Sequence, residues 1–274
     1  DAGLCSQFDT VNIDQPDSLY ADLSVIDITC YGDDNGMASV IMNGGTPNYT
    51  YSWTGPNSFS ATSASIANLA PGDYILEGGD VNGCISNNMI TISEPDILDA
   101  VTVVSDYNTW GVSCNGGSDG EVTITISGGT SPYFVDYNNQ LPPTTIFGDT
   151  VFVFSNLTGG VATFDVIDSN GCELLATPIA ITEPPLLEVL SSSVIHPSCF
   201  NANDGSFVID VLGGIAPYIY EVNGVIMPLT DFSDGTYSIM VSDNNNCEVG
   251  PISLTLTEPL EILVTAEVCL NSVS

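Results

Sequence analysis

The sequence predicts an all-β chain of tandem sandwich domains arranged end to end, on three observations. The same landmarks recur three times, apolar residues alternate with period two, and no stretch has a helical period. The central copy carries Cys114-Asn-Gly-Gly-Ser-Asp-Gly120, then Gly128-Gly129, Pro132-Tyr133, Asp168-Ser-Asn-Gly-Cys172 and Glu183-Pro184. Upstream the landmarks are Cys30, Asn35-Gly36, Gly44-Gly45, Tyr49, Asp80, Gly83-Cys84 and Glu94-Pro95. Downstream they are Cys199, Asp204-Gly205, Gly213-Gly214, Pro217-Tyr218, Asp243, Cys247 and Glu258-Pro259. Cys114 follows Cys30 by 84 residues and Cys199 follows Cys114 by 85. That period divides the chain into three repeats, 20–97, 98–186 and 187–261. Residues 1–19 read as the C-terminal part of a preceding repeat, and 262–274 as the start of a following one.

Within each repeat the elements come in one order. An apolar run after the proline (Leu23 to Ile28, Leu98 to Val104, Leu186 to Ile195) reads as a first strand, and the cysteine with its Gly/Asp/Asn turn as a loop. The second strand alternates in every copy: Ala38, Val40, Met42; Val122, Ile124, Ile126; Phe207, Ile209, Val211. Such alternation buries one face and wets the other. After Gly-Gly a third strand carries Tyr49, Tyr51, Trp53; Tyr133, Val135, Tyr137; Tyr218, Tyr220, Val222, aromatics bulky enough to fill a thin sandwich. The following stretches (53–70, 138–157, 223–234) vary between copies, as loops and short edge strands do. A later strand (Tyr74, Leu76; Ala162, Phe164, Val166; Tyr237, Ile239, Val241) ends at the Asp of the cysteine-bearing turn. The last (Ile90, Ile92; Ile179, Ile181; Leu254, Leu256) runs into Glu-Pro, where proline stops the sheet and stiffens the junction. About seven short strands per repeat is the count of an immunoglobulin-like sandwich.

Composition narrows function by exclusion. The chain has 34 acidic residues, no Lys, no Arg and one His, a formal net charge of −34. Counterion release from phosphate backbones needs Lys or Arg, so nucleic acid is excluded as a partner, as is attachment to anionic lipid. No run of about 20 apolar residues is present to insert directly into a membrane. Eight cysteines without zinc-type spacing point to disulfides and an oxidising, extracellular compartment. His196 has no second imidazole near it in sequence, and Ser or Cys nucleophiles and phosphoryl transfer lack their usual activators, so no catalytic residue is assigned. Acids that repeat in every copy read as turn formers.

The ordered motifs Cys-x-Gly-x-x-[Asp/Asn]-Gly, Gly-Gly-x-x-Pro-Tyr, Asp-x-Asn-Gly-Cys and Ile-Thr-Glu-Pro resemble the SprB-type repeat of Bacteroidota gliding-motility adhesins and related giant cell-surface proteins. The resemblance implies an immunoglobulin-like fold, export by the type 9 secretion system, and a non-enzymatic role as stalk or filament of a surface adhesin. Asn48 stands where the motif has Pro, Ala162 where it has Tyr, and Asn246 where it has Gly. The alternative reading is a module that grips polysaccharide or a partner protein through the variable loops. Partners are then neighbouring repeats of the same chain, and surface polysaccharide or other filaments beyond it.

An immunoglobulin topology puts the first loop and the last turn of a domain at opposite ends. A seven-residue strand spans roughly 23 Å, whereas bonded cysteines need Cα atoms within about 7 Å. Pairing is therefore expected across seams, Cys30 with Cys172 and Cys114 with Cys247, leaving Cys5, Cys84, Cys199 and Cys269 for neighbouring repeats. Pairing within a domain, Cys30 with Cys84, stands as the alternative. No cofactor is required. Calcium at the abutting ends is an added expectation, with Asp34, Asn35, Glu94, Asp119, Asp168, Glu183 and Asp243 as candidate ligands. The triplets ending Asp-Thr-Val or Asp-Ser-Leu mark Thr10, Ser18 and Thr150 for O-glycosylation. Trp110, in a stretch particular to the second copy, is expected at the surface.

Overall fold

The computed structural model describes residues 9–138, 144–146, 150–175 and 178–265. Alternation of apolar and polar residues produces strands throughout. The single helical turn among the described residues is a 3-10 turn at Pro56–Ser58. No helix among them is long and apolar enough to cross a membrane.

The first repeat forms β1 (Tyr20–Ile26), β2 (Gly36–Asn43), β3 (Thr50–Gly55), β4 (Phe59–Ala61), β5 (Ser65–Leu69), β6 (Gly72–Gly79) and β7 (Ile85–Ile92). They make two antiparallel sheets, β1-β2-β5 and β4-β3-β6-β7. Three strands facing four in this order is an immunoglobulin-like sandwich.

The second repeat comprises β8 (Asp99–Val104), β9 (Gly120–Ser127), β10 (Tyr133–Tyr137), β11 (Thr144–Ile146), β12 (Val151–Leu157), β13 (Gly160–Ala162), β14 (Phe164–Ile167), β15 (Glu173–Leu174) and β16 (Ile179–Ile181). Its sixth and seventh strands are each broken in two, so the sheets read β8-β9-β12, β11-β10-β14-β15 and the pair β13-β16. The third repeat restores the plain order with β17 (Glu188–Ile195), β18 (Gly205–Leu212), β19 (Ile219–Val222), β20 (Val225–Ile226), β21 (Thr230–Phe232), β22 (Gly235–Ser242) and β23 (Glu248–Leu256). Its sheets are β17-β18-β21 and β20-β19-β22-β23. Pro251 lies in edge strand β23 where its register with β22 slips, the place a sheet tolerates a residue without an amide hydrogen.

Each sandwich closes over its own core. In the first, Ala38, Val40 and Met42 of β2 meet Trp53, Tyr74 and Leu76 across the gap. The polar ends of the buried rings are satisfied: Trp53 Nε1 donates to the Ser63 carbonyl at 3.0 Å, and the Tyr74 hydroxyl to Ala70 at 3.0 Å. The second core is built on Val122, Ile124, Ile126, Val135, Phe152 and Phe164. The third is smaller, with Phe207, Phe232 and Ile239 buried and Ile209, Tyr237 and Leu254 half-buried against them. A fully buried Phe or Ile contributes about 1.5–3 kcal/mol, so these cores hold the units up without a single Lys or Arg ion pair.

Candidate functional site at the seams between units

The repeated polar motifs collect at the two ends of each sandwich, where one unit meets the next. At the end facing the preceding unit an aspartate is almost fully enclosed: Asp80 is 6% exposed, Asp168 1% and Asp243 0%. In the second unit Asp168 Oδ2 accepts the Thr130 amide at 2.8 Å, and Oδ1 accepts those of Asn170 and Cys172 at 2.9 Å each. Asp80 takes Thr46, Asn82 and Cys84, and Asp243 takes Ile215, Asn245 and Cys247, in the same pattern. Three amides aimed at one carboxylate replace the water it has lost. The Thr46 amide, seconded by that of Cys84, holds the Asp80 carboxyl below its ordinary range.

The Gly-Gly pair beside this aspartate receives the linker. The Gly129 amide donates to the Asp96 carbonyl at 2.8 Å, as Gly45 does to Asp17 and Gly214 to Pro185. Gly128 has φ +67°, and a Cβ on it would stand 1.8 Å from the Ile97 carbonyl oxygen. Only glycine lets the linker pass so close. The motif's tyrosine caps the same turn, Tyr133 donating its hydroxyl to the Gly128 carbonyl at 2.6 Å, with Tyr49 on Gly44 and Tyr218 on Gly213.

At the opposite end the Glu of Glu-Pro turns back on its own unit's first loop. Glu94 Oε2 accepts the Gly32 amide at 3.0 Å, Glu183 that of Gly116 at 2.9 Å, and Glu258 that of Asn201 at 2.6 Å. The Asp or Asn before the recurring glycine closes that loop: Asn35 accepts from Thr29, Asp119 from Ser113 and Asp204 from Ser198. Partial burial pushes the Asp119 carboxyl up, but bonds from Ser113 outweigh it and hold it below the usual range. Asp204 is held low by Ser198 through its hydroxyl and its amide. Each linker is thus fastened at one end to the unit before it and at the other to the unit after it.

The seams are closed covalently. Cys30 is bonded to Cys172 with Cα atoms 5.7 Å apart, and Cys114 to Cys247 with Cα atoms 5.6 Å apart. Beside the first bond Asn170 Nδ2 donates to the Thr29 carbonyl at 2.9 Å. Beside the second, Asn245 Nδ2 donates to Ser113 at 3.0 Å. The second seam has an extra contact from the stretch particular to that unit. There Tyr107 and Trp110 pair in an isolated bridge, Asn108 binds Asn245, and Trp110 is half-buried rather than at the surface. The sequence placed Trp110 outside because the bridge that folds it back has no periodic signal. Cys84 and Cys199 are free and exposed, one at each far end of the three-unit array. Cys5 and Cys269 lie outside the described residues.

The seven calcium candidates are not brought together. Among the described residues no three His, Cys, Asp or Glu side chains converge on one point. Asp168 and Asp243 face inward onto amides, Glu94 and Glu183 accept from the first loop, Asp119 closes its own loop, and Asn35 bonds Thr29 through both its side-chain atoms. The seventh, Asp34, is exposed in the first loop. Thr10, Ser18 and Thr150 are all exposed. His196 Nδ1 accepts the Thr257 amide at 3.0 Å, a loop contact. Tyr51, Trp53, Tyr133 and Tyr137 are buried or half-buried in the sandwiches. Sequence reasoning missed the bridging Asn170 and Asn245 and the tyrosine hydroxyl caps. Their signal was recurrence at one place in successive copies.

The SprB repeat family model matches residues 23–58, 108–134 and 192–225, one stretch in each unit. A search of curated proteins finds no match. Among solved structures, the chicken CNTN1 FN1-FN3 domains are similar at 16% identity over 86% of this chain and 98% of that one, with a TM-score of 0.25. A Dscam structure aligns at 11% identity over 88% and 73%, TM-score 0.24. Bacteroides ovatus SGBP-B in complex with mixed-linkage heptasaccharide aligns at 10% identity over 91% and 71%, TM-score 0.21. The fold assignment rests on strand order and register, not on these scores.

Proposed function

We propose that this chain, which matches the SprB repeat model at one stretch in each of its three units, is a non-enzymatic, load-transmitting stalk segment of a large extracellular cell-surface adhesin. Repeat boundaries fall at 20–97, 98–186 and 187–261, and Cys84 and Cys199 bond further repeats on either side, as Cys172 bonds Cys30 of the unit before it and Cys114 bonds Cys247 of the unit after it. One observation carries the reading: at each seam the linker is held by both units and the units are joined by a disulfide. A linker fixed at both ends does not hinge, and a rod that does not hinge transmits force. Adhesion or gliding is the task such a stalk serves in the proteins this one resembles. Sugar on the exposed Thr10, Ser18 and Thr150 belongs to the same extracellular setting, and would raise the intact mass of the secreted segment above 28.7 kDa.

The test is to label intact cells of the source organism with an antibody raised against this segment. Labelled threads standing off unpermeabilised cells are expected. Labelling that appears only after permeabilisation would overturn the proposal.

A further inference from the structure

The two disulfides do more than fasten neighbours, because the loops they close overlap. The first bond joins positions 142 residues apart, Cys30 to Cys172, and the second joins positions 133 residues apart, Cys114 to Cys247. Cys114 lies inside the first loop and Cys172 inside the second. The overlap follows from which ends carry which cysteine. The first loop of each unit faces forward to the next unit, the last turn faces back, and the forward cysteine comes earlier in the sequence than the backward one. Each bond therefore reaches past the starting point of the next.

We infer that the array is a cut-tolerant thread, in which any single break of the main chain between Cys30 and Cys247 leaves the segment covalently continuous. A break between Cys30 and Cys114 is bridged by Cys30–Cys172. One between Cys172 and Cys247 is bridged by Cys114–Cys247. One between Cys114 and Cys172 is bridged by both. Adjacent loops lack this property, since they leave an unprotected stretch between them. Bonding within each domain, Cys30 to Cys84 for example, would have left every linker exposed to severance.

The protected stretch includes the sites a protease reaches most readily. The tips at Asn57-Ser58, Thr158 and Asn223-Gly224 are exposed, as is Glu183 in the second linker. Exposed tips and linkers are where nicking concentrates. Overlapping bonds convert each nick from loss of everything beyond it into a local lesion, and the intact sandwich around the nick keeps the two new ends in place. This inference rests on the stalk reading for its use, but not for its chemistry.

The test places a recognition sequence for a site-specific protease, one per variant, at Asn57, Thr158, Asn223 or, as a control, between Asp14 and Asp17 ahead of Cys30. Each full-length oxidised chain is cut to completion and run on denaturing gels with and without reductant. The three internal cuts are expected to give one full-length band without reductant, one water heavier by mass, and two fragments with it. The control cut releases its fragment in both lanes. In a Cys30→Ser chain the Asn57 cut should release a fragment without reductant while the Asn223 cut still does not. Release of fragments by the internal cuts of the native chain without reductant would overturn the inference, and thiol counting would trace the failure to absent bonds. X-ray scattering from the uncut chain reports the rod shape separately, so the stalk reading stands or falls on different data.

Discussion

Asn170 and Thr29 stand 141 residues apart in the chain, yet the side-chain amide of one donates to the carbonyl of the other at 2.9 Å, beside the Cys30–Cys172 bond. Asn245 repeats the contact on Ser113 at the next seam, 132 residues away. Each asparagine sits two residues before the cysteine of its own unit, and each acceptor one residue before the cysteine of the other. Asn170→Ala should leave the cores folded, lower stability by about 1 kcal/mol, and open the seam. The check is the rate at which a small thiol reduces the two bonds. Cys30–Cys172 should react faster in the variant while Cys114–Cys247 keeps its rate, and equal rates would contradict the contact's role.

Asp168 offers two oxygens to three amides from inside the second unit. In Asp168→Asn one oxygen becomes a donor facing donors, and a buried amide left unpaired costs about 1–3 kcal/mol. The unit should lose about 2 kcal/mol, which calorimetry would record as a drop of about 10 °C in the melting of that unit.

Two glycines separate close approach from mere turn geometry. Gly171 has φ +82° with open space around it, while Gly128 has φ +67° and the Ile97 carbonyl in the way. Gly171→Ala should cost about 1–2 kcal/mol, the ordinary penalty of a left-handed residue. Gly128→Ala should cost distinctly more and displace the linker, which urea melts of the two variants side by side will show.

Stability should respond to pH and salt in ways set by a surface without Lys or Arg. Asp80, Asp119 and Asp204 have carboxyls held low in the folded state. Their contribution is therefore complete above the unfolded value of about 3.9 and is lost as pH falls through the lower folded values. Repulsion among 34 acids instead relaxes as pH drops toward the ordinary carboxylate range and the exposed carboxylates take up protons. The melting temperature should rise from pH 8 to between about 4 and 5 and fall below that. At pH 7 added sodium chloride should only raise it, since there is repulsion to screen and no Lys or Arg ion pair to weaken. Calorimetry across pH 3–8 and across salt checks both signs.

The strands were legible because Val122, Ile124 and Ile126 alternate with Glu121, Thr123 and Thr125, a pattern only a half-buried strand satisfies. The recurring Gly-Gly, Tyr, Asp and Glu marked the ends of the units without saying what they do. Which amide Asp168 binds, or that Glu94 turns back to Gly32, depends on residues 38 and 62 positions away brought close by the fold. Acidic turns read as calcium ligands for the same reason: sequence shows the carboxylates but not the amides already bound to them. The break in the sixth strand of the second unit, at Thr163, has no signature in a run as apolar as Gly160 to Ile167, whereas Pro178 stands between the two pieces of the seventh.

The central claim is that the units stand end on end with stiff seams, and small-angle X-ray scattering from the oxidised 274-residue segment tests it most directly. Eight-residue strands are about 27 Å long, so three sandwiches with their loops and linkers should give a maximum dimension of about 110 Å and a radius of gyration above about 30 Å. A radius of gyration near 19 Å, the value for a compact globule of this length, would contradict the account.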